Sequence, residues 1–278
     1  MIKIVQQNLN SFKYYSQPKD VADNFYKELM CQLLDEKHEK PEKPEKPDIM
    51  LFTEFGYALQ KNTIISMLEK DGFEVILPKE YDRTNTKTYA ACMMAIKADQ
   101  FSFEYNPNQR IHIPESKRDR YIEGTLTLRE SQKTMEIFLI YVQQAYVKSS
   151  VDKPKESYSY EELQRIIEEK LNKHSELLEE KAKMLIAARD FCKENSQKAA
   201  FLGGDLNTAL NGTTSMEPLL ELLYEDFVDS DLDRDKPTWK NKRLDYALVS
   251  KALKDLCRTT HLPTISDHCA LVTILDLE

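Results

Sequence analysis

Apolar residues along this chain fall into short runs that stop abruptly at polar or glycine-rich positions. Runs or alternations of this length, bounded by turn-forming residues, predict strands. They occur at 2–5, 49–52, 73–77, 89–96, 101–105, 124–128, 136–142, 199–202, 244–250 and 271–275. Elsewhere the apolar positions recur every three to four residues, which predicts helices at 21–34 (Phe25, Leu29, Leu33), 63–70 and 216–224. A longer amphipathic helix or helix pair is predicted at 160–194 from Leu163, Ile166, Ile167, Leu171, Leu177, Leu178, Met184, Leu185 and Ala188. It opens on Ser159-Tyr160-Glu161-Glu162, a capping box. Between the first helix and the second strand, residues 39–47 repeat Glu-Lys-Pro three times. Proline every third residue removes backbone donors and favours an extended, solvated spacer. Strands flanked by helices, with hairpin-like strand runs in the middle, predict an α/β fold of layered sheets. No internal repeat or break in composition divides it, so one domain over 1–278 is expected.

Composition narrows the function classes. Apolar residues make up 41% of the 278 positions, enough for a substantial core. No apolar run reaches the about 18 residues that a membrane-spanning helix needs. The first residues turn polar at Gln6 without the pattern of a secretory signal, so a soluble, cytoplasmic protein is expected. Five cysteines, odd in number and without CxxC spacing, read as free thiols rather than a zinc site or disulfide framework. The net charge of -8 argues against a protein whose affinity comes from coating many phosphates. Local basic stretches, Lys117-Arg118-Asp119-Arg120 and Lys240-Asn241-Lys242-Arg243, leave room for a small phosphorylated substrate or short nucleic-acid contacts.

The candidate chemistry sits where the apolar runs end. The run at 199–202 passes into Gly203-Gly204-Asp205-Leu206-Asn207. There, glycines allow a sharp turn and close approach to a ligand. Asp205 can take a proton from water and Asn207 can donate to a phosphate oxygen, although Gly, Asp and Asn are also ordinary turn residues. Glu54 ends a buried run, where a carboxylate must be solvated, paired or bound to a cation. Magnesium, which takes oxygen ligands and few protein carboxylates, suits it. Asp245 is set on the face of its strand shared with Ala247 and Val249. Its partner is either His268, whose tautomer it would fix, or a neighbouring Lys or Arg. In Ser266-Asp267-His268, Asp267 can complete a cation site while His268 contacts a scissile phosphate. Asn8, with Asn10, follows the first strand and can orient a metal-bound carboxylate or bind phosphate. Tyr141 closes an apolar run with a phenol able to donate to phosphate oxygen. A single shared site accounts for all of these at once.

These segments, Gln7-Asn8-Leu9-Asn10, Thr53-Glu54, Gly204-Asp205-Leu206-Asn207, Pro237-Thr238-Trp239, Arg243-Leu244-Asp245-Tyr246 and Ser266-Asp267-His268, resemble the endonuclease/exonuclease/phosphatase superfamily, which includes deoxyribonuclease I-like enzymes and abasic-site endonucleases. The resemblance runs from Ile2 to Leu275. It implies a four-layer α/β sandwich of two mixed β-sheets flanked by helices, with Mg²⁺ near Glu54 and Asp267 assisting. It further implies Asp205 as water activator, Asn8 and Asn207 as active-site amides, and an Asp245–His268 pair. In the middle strand, Tyr141-Val142-Gln143-Gln144 looks like the tyrosine version of the family motif, with glutamines replacing proline and asparagine. Gln144 keeps a donor for phosphate on a longer side chain.

The expected function is therefore Mg²⁺-dependent phosphoester hydrolysis, with Mn²⁺ as an alternative ion and in-line attack of water on phosphorus. Nuclease or phosphodiesterase action is favoured over phosphomonoesterase action, with DNA or RNA among the candidate substrates and no membrane partner. The competing expectation is a catalytically impaired member of the fold that binds a phosphorylated ligand.

Overall fold

A computed structural model describes residues 1–9, 27–28, 46–55, 58–79, 91–107, 120–142, 176–209, 216–264 and 266–277. One mixed sheet contains β1 (Ile2–Asn8), β2 (Ile49–Phe55), β3 (Phe73–Ile76), β4 (Ala91–Lys97), β11 (Cys257–Leu262) and β12 (Ala270–Leu275), in the order β11-β12-β1-β2-β4-β3. The second contains β5 (Phe101–Tyr105), β6 (Tyr121–Leu128), β7 (Thr134–Tyr141), β8 (Ala200–Asp205), β9 (Phe227–Asp229) and β10 (Asp245–Ser250), in the order β5-β6-β7-β8-β10-β9. Each sheet has one parallel pair near its centre, β1 with β2 and β7 with β8.

The layers follow from which faces are apolar. The inward face of each sheet is apolar, and Ile4, Leu51, Ile137, Leu139, Phe201 and Ala247 share the core between the sheets. Outside the first sheet, helix α1 (Ala58–Lys70) covers Val5, Met50 and Phe52 with Ile64, Ile65 and Leu68. Outside the second, helices α2 (Glu176–Asn195) and α3 (Glu217–Leu223) cover Phe138, Leu202 and Tyr246. This is the expected four-layer α/β sandwich. Its central strands are buried on both faces, which explains why 49–52 and 199–202 read as continuous apolar runs.

The two glycines of the 203–204 pair serve different needs. A Cβ at Gly203 would stand 2.6 Å from Gln6 Oε1, so this position lets the two sheets approach. Gly204 has φ of +143°, and a side chain there would collide with the Ile140 carbonyl of β7. That backbone is open to glycine almost alone.

Two strands escaped the sequence reading. β9 has three residues, and β11 reads Cys-Arg-Thr-Thr-His-Leu, an edge strand that buries Thr259 rather than an aliphatic run. Of the helix predicted at 21–34, only Lys27 and Glu28 are described, and both are helical. The first part of the helix predicted at 160–194, with its capping box, and most of the Glu-Lys-Pro spacer lie outside the described residues. The described cysteines, Cys92, Cys192, Cys257 and Cys269, are free. No helix among the described residues is long and apolar enough to cross a membrane.

Candidate active site

Strand register assembles one half of the site. Tyr141 of β7 lies beside Asp205 of β8, which lies opposite Asp245 of β10. The facing sheet supplies the other half. Asn8 ends β1 beside Thr53, Glu54 follows on β2, and His268 arrives just before β12 through a backbone bridge to Trp239.

Asp205 is the centre. Its side chain is buried, and Asn8 Nδ2 donates to its Oδ2 across the sheet interface at 2.9 Å. Asn207 donates twice, from its backbone N–H to Oδ1 at 2.8 Å and from Nδ2 to Oδ2 at 2.9 Å. Asn207 Nδ2 also donates to the Val142 carbonyl at 2.9 Å, so its amide here holds Asp205 rather than reaching outward. Burial first, and then the Asp245 carboxylate opposite, push the Asp205 pKa well above the usual carboxylate range. The charge of His268 and the backbone bond from Asn207 oppose that shift.

His268 Nδ1 and Asp245 Oδ2 are 2.7 Å apart, both buried. We assign a proton to Nδ1 from that carboxylate partner. Burial draws the imidazole pKa down, but the charge and hydrogen bond of Asp245, with Asp205 and Asp267 behind them, push it up to about 9. The Lys-or-Arg alternative for Asp245 is settled by Arg243, which forms a bidentate pair with Asp229 at 2.6 and 2.9 Å and also meets Asp231 at 3.2 Å. With Arg243 held by Asp229 and Asp231 of the neighbouring β9 segment, Asp245 is left to the histidine. Thr238 Oγ1 fixes the entry to β10 by accepting from the Leu244 and Asp245 backbone N–H groups.

Glu54 and Asp267 flank this centre. Glu54 sits at a β-bulge with φ of +51°, half-buried, and accepts a long 3.4 Å bond from Asn8 Nδ2. The Tyr141 hydroxyl hydrogen-bonds the Glu54 carboxylate; burial and then the Glu54 charge hold that phenol above its ordinary pKa. Asp267 Oδ2 accepts from the Trp239 indole at 2.9 Å. The loop carrying Asp267 and His268 is tied to β1 by Ser266 Oγ, donating to the Asn8 carbonyl at 2.8 Å, and by Gln7 Nε2, donating to the His268 carbonyl at 3.1 Å.

The donor set fits a hard divalent cation. Four carboxylates converge with one histidine, and Asp245 Oδ1 and Asp267 Oδ1 are buried without a hydrogen-bond partner among the described residues. Buried carboxylate oxygens with too few donors are stabilised by a cation. Asp205, Asp245 and His268 each place a ligand atom within 4.8 Å of the others. That grouping differs from the expected set of Glu54, Asp267 and Asn8, and its Asp245–His268 bond already occupies two of its members.

Every expected site residue that is described, Asn8, Glu54, Tyr141, Asp205, Asn207, Asp245, Asp267 and His268, falls in this one region; Gln144 and Asn10 lie outside the described residues. Sequence reasoning did not single out Lys181, whose Nζ donates to the Asn207 carbonyl at 2.7 Å. A signal existed. Lys181 stands on the apolar stripe of its helix, three residues after Leu178 and four before Leu185.

Several solved structures share this architecture. The human Nocturnin catalytic domain aligns at 14% identity over 99% of this chain and 94% of that one, with a TM-score of 0.59. A Bacteroides thetaiotaomicron endonuclease/exonuclease/phosphatase family protein aligns at 14% over 99% and 98%, also at 0.59. Bacteroides thetaiotaomicron mannosyl-6-phosphatase Bt3783 aligns at 13% over the full length of both chains, at 0.58. No curated protein sequence matches the chain. The residue pattern of the Endonuclease/Exonuclease/phosphatase family matches positions 5–268, nearly the whole chain. With the fold and that match together, this chain belongs to the endonuclease/exonuclease/phosphatase family of phosphoester hydrolases.

Proposed function

We propose that the chain is a divalent-cation-dependent phosphodiesterase or nuclease in which Asp205 activates the attacking water. The observation that carries this reading is the buried Asp205 carboxylate, held by Asn8 and Asn207 beside the Asp245–His268 pair. Its raised pKa makes it a better proton acceptor than a solvated aspartate. Water gives its proton to Asp205 and its oxygen attacks phosphorus in line, the P–O bond to the opposite ester oxygen breaks, and the departing alkoxide takes a proton from solvent. A protonated His268, kept charged by Asp245, donates from Nε2 to a phosphate oxygen as negative charge grows there. The Tyr141 phenol steadies the Glu54 carboxylate through its hydroxyl, while Asn207 keeps Asp205 in place. Glu54 and Asp267, with Asn8 orienting the glutamate, would hold the cation, Mg²⁺ by its preference for oxygen ligands and Mn²⁺ as second choice. When bound, that ion supplies positive charge against the phosphate oxygens.

Diesters are preferred over monoesters on Tyr141 and on the relatives whose structures involve DNA. Zebrafish TDP2, solved with a single-strand DNA product, aligns at 12% identity over 99% of this chain, while the mannosyl-6-phosphatase points the other way. The net charge of -8 favours short phosphate contacts over long coating ones. The impaired-enzyme alternative has no observation in its favour.

The test is turnover by chelator-treated protein, with and without added Mg²⁺, on plasmid DNA, a short single-stranded oligonucleotide, a synthetic diester and sugar monophosphates. Mg²⁺-dependent cleavage of the diesters, faster than the monoesters by at least about tenfold, is expected. Hydrolysis of monoesters alone would transfer the assignment to a phosphatase, and no hydrolysis of any substrate would remove it.

A further inference from the structure

We propose that Lys181 is a positioning residue whose buried ammonium fixes the turn from Asp205 to Asn207 and so aims the catalytic carboxylate. Lys181 is 2% exposed, and its Nζ donates to the Asn207 carbonyl at 2.7 Å. An aliphatic residue at this point would continue the stripe that packs α2 on the second sheet without desolvating a charge. A lysine kept there needs a use for its charge.

The turn itself supplies that use. Asn207 has φ of +46°, a left-handed conformation that asparagine tolerates better than other non-glycine residues and that the bonds around it hold in place. Its side-chain amide ties the turn to Asp205 and to the Val142 carbonyl at the end of β7, and its backbone N–H returns to Asp205. The remaining strong backbone acceptor of the residue, its carbonyl, is the atom Lys181 takes. Helix α2, β8 and the end of β7 are thereby joined at one residue. Burial lowers the ammonium pKa, Asp205 raises it and Lys242 lowers it, leaving it at about 8, so near neutral pH the group remains a charged donor. Lys181 is thus placed to act through Asn207, by the bond from its Nζ to that carbonyl.

The inference rests on the reading of Asp205 as the base, and two measurements keep the two claims separable. Lys181→Met and Lys181→Arg are made in the full chain, with Lys181→Leu as a second variant lacking a donor should the methionine form not fold. On a synthetic diester with Mg²⁺, kcat for Lys181→Met is expected to fall by about 10- to 100-fold with KM within about twofold, because small misplacements of a catalytic group carry losses of this size. Lys181→Arg, which keeps a cationic donor, is expected to recover most of that loss. A purely structural lysine would lower the melting temperature and leave kcat below that temperature unchanged. The second readout is the Asn207 side-chain amide resonance in metal-free, ¹⁵N-labelled protein. It should move in the methionine form and return in the arginine form. If the wild type hydrolyses nothing, this readout alone decides, and the catalytic reading falls separately. A methionine variant with wild-type kcat, an arginine variant no better than methionine, or an unmoved Asn207 amide would overturn the proposal.

Discussion

Asp205→Asn is expected to lower phosphodiester turnover by at least about a thousandfold and, at the same time, to raise the melting temperature. The first effect follows from chemistry. A carboxamide has the same shape but cannot accept the proton of water, and a positioned base contributes on the order of 10²–10⁴ in rate. The geometry adds to the loss. Asn8 Nδ2 and Asn207 Nδ2 both donate to Asp205 Oδ2, so an amide NH₂ turned that way would meet two donors. Turned the other way, it meets the Asn207 backbone N–H that now bonds Oδ1. The second effect follows from linkage. The folded pKa of Asp205 lies above its unfolded value, so its contribution to stability is full below the unfolded pKa and is lost as pH rises through the folded one. At neutral pH the charged form is a burden that the neutral amide removes. Thermal unfolding in chelator, beside a rate assay, separates this pattern from simple misfolding, which would lower both.

Asp245→Asn is the second large effect, with turnover expected to fall by about 10²–10⁴ as the histidine loses the carboxylate that orients and charges it. The pH signature is specific. In metal-free wild type, burial lowers the His268 pKa and Asp245 more than reverses it, up to about 9. A raised folded pKa means that the stabilisation is complete below the unfolded value of 6.5 and disappears as pH rises through about 9. Wild-type melting temperature should therefore fall across that window, and Asp245→Asn should flatten the fall. An NMR titration of the His268 ring checks the cause directly. In the variant, burial acts with less opposition and the pKa drops below the wild-type value. A His268 titration unchanged by the substitution would break the link between the pair.

Much of this site is legible in the sequence because of where its polar residues stand. Glu54, Tyr141 and Asp205 each stand at or next to the end of a run of apolar strand residues, and such a position is costly for a polar group unless a site uses it. What the one-dimensional pattern does not carry is register. The choice between His268 and a basic neighbour for Asp245 depended on Arg243 pairing across space with Asp229 and Asp231. The role of Asn207 as the holder of Asp205 depended on a left-handed backbone that asparagine tolerates but does not announce. β11 was missed because its inward positions are Cys257 and Thr259, with Thr259 bonded to Ser230 and Thr273 in place of aliphatic packing. Lys181 was hidden inside a helix whose apolar rhythm it interrupts.

These strand ends, we propose, form one cation-assisted phosphoester site. Its most direct test is diester turnover against Mg²⁺ concentration for chelator-treated wild type and Glu54→Gln. The wild type should be inactive until Mg²⁺ is restored, and the variant should need at least about tenfold more Mg²⁺ for half-maximal rate, as expected when a ligand to the ion is weakened. Full activity of the wild type in chelator, or superimposable Mg²⁺ curves for the two proteins, would contradict it.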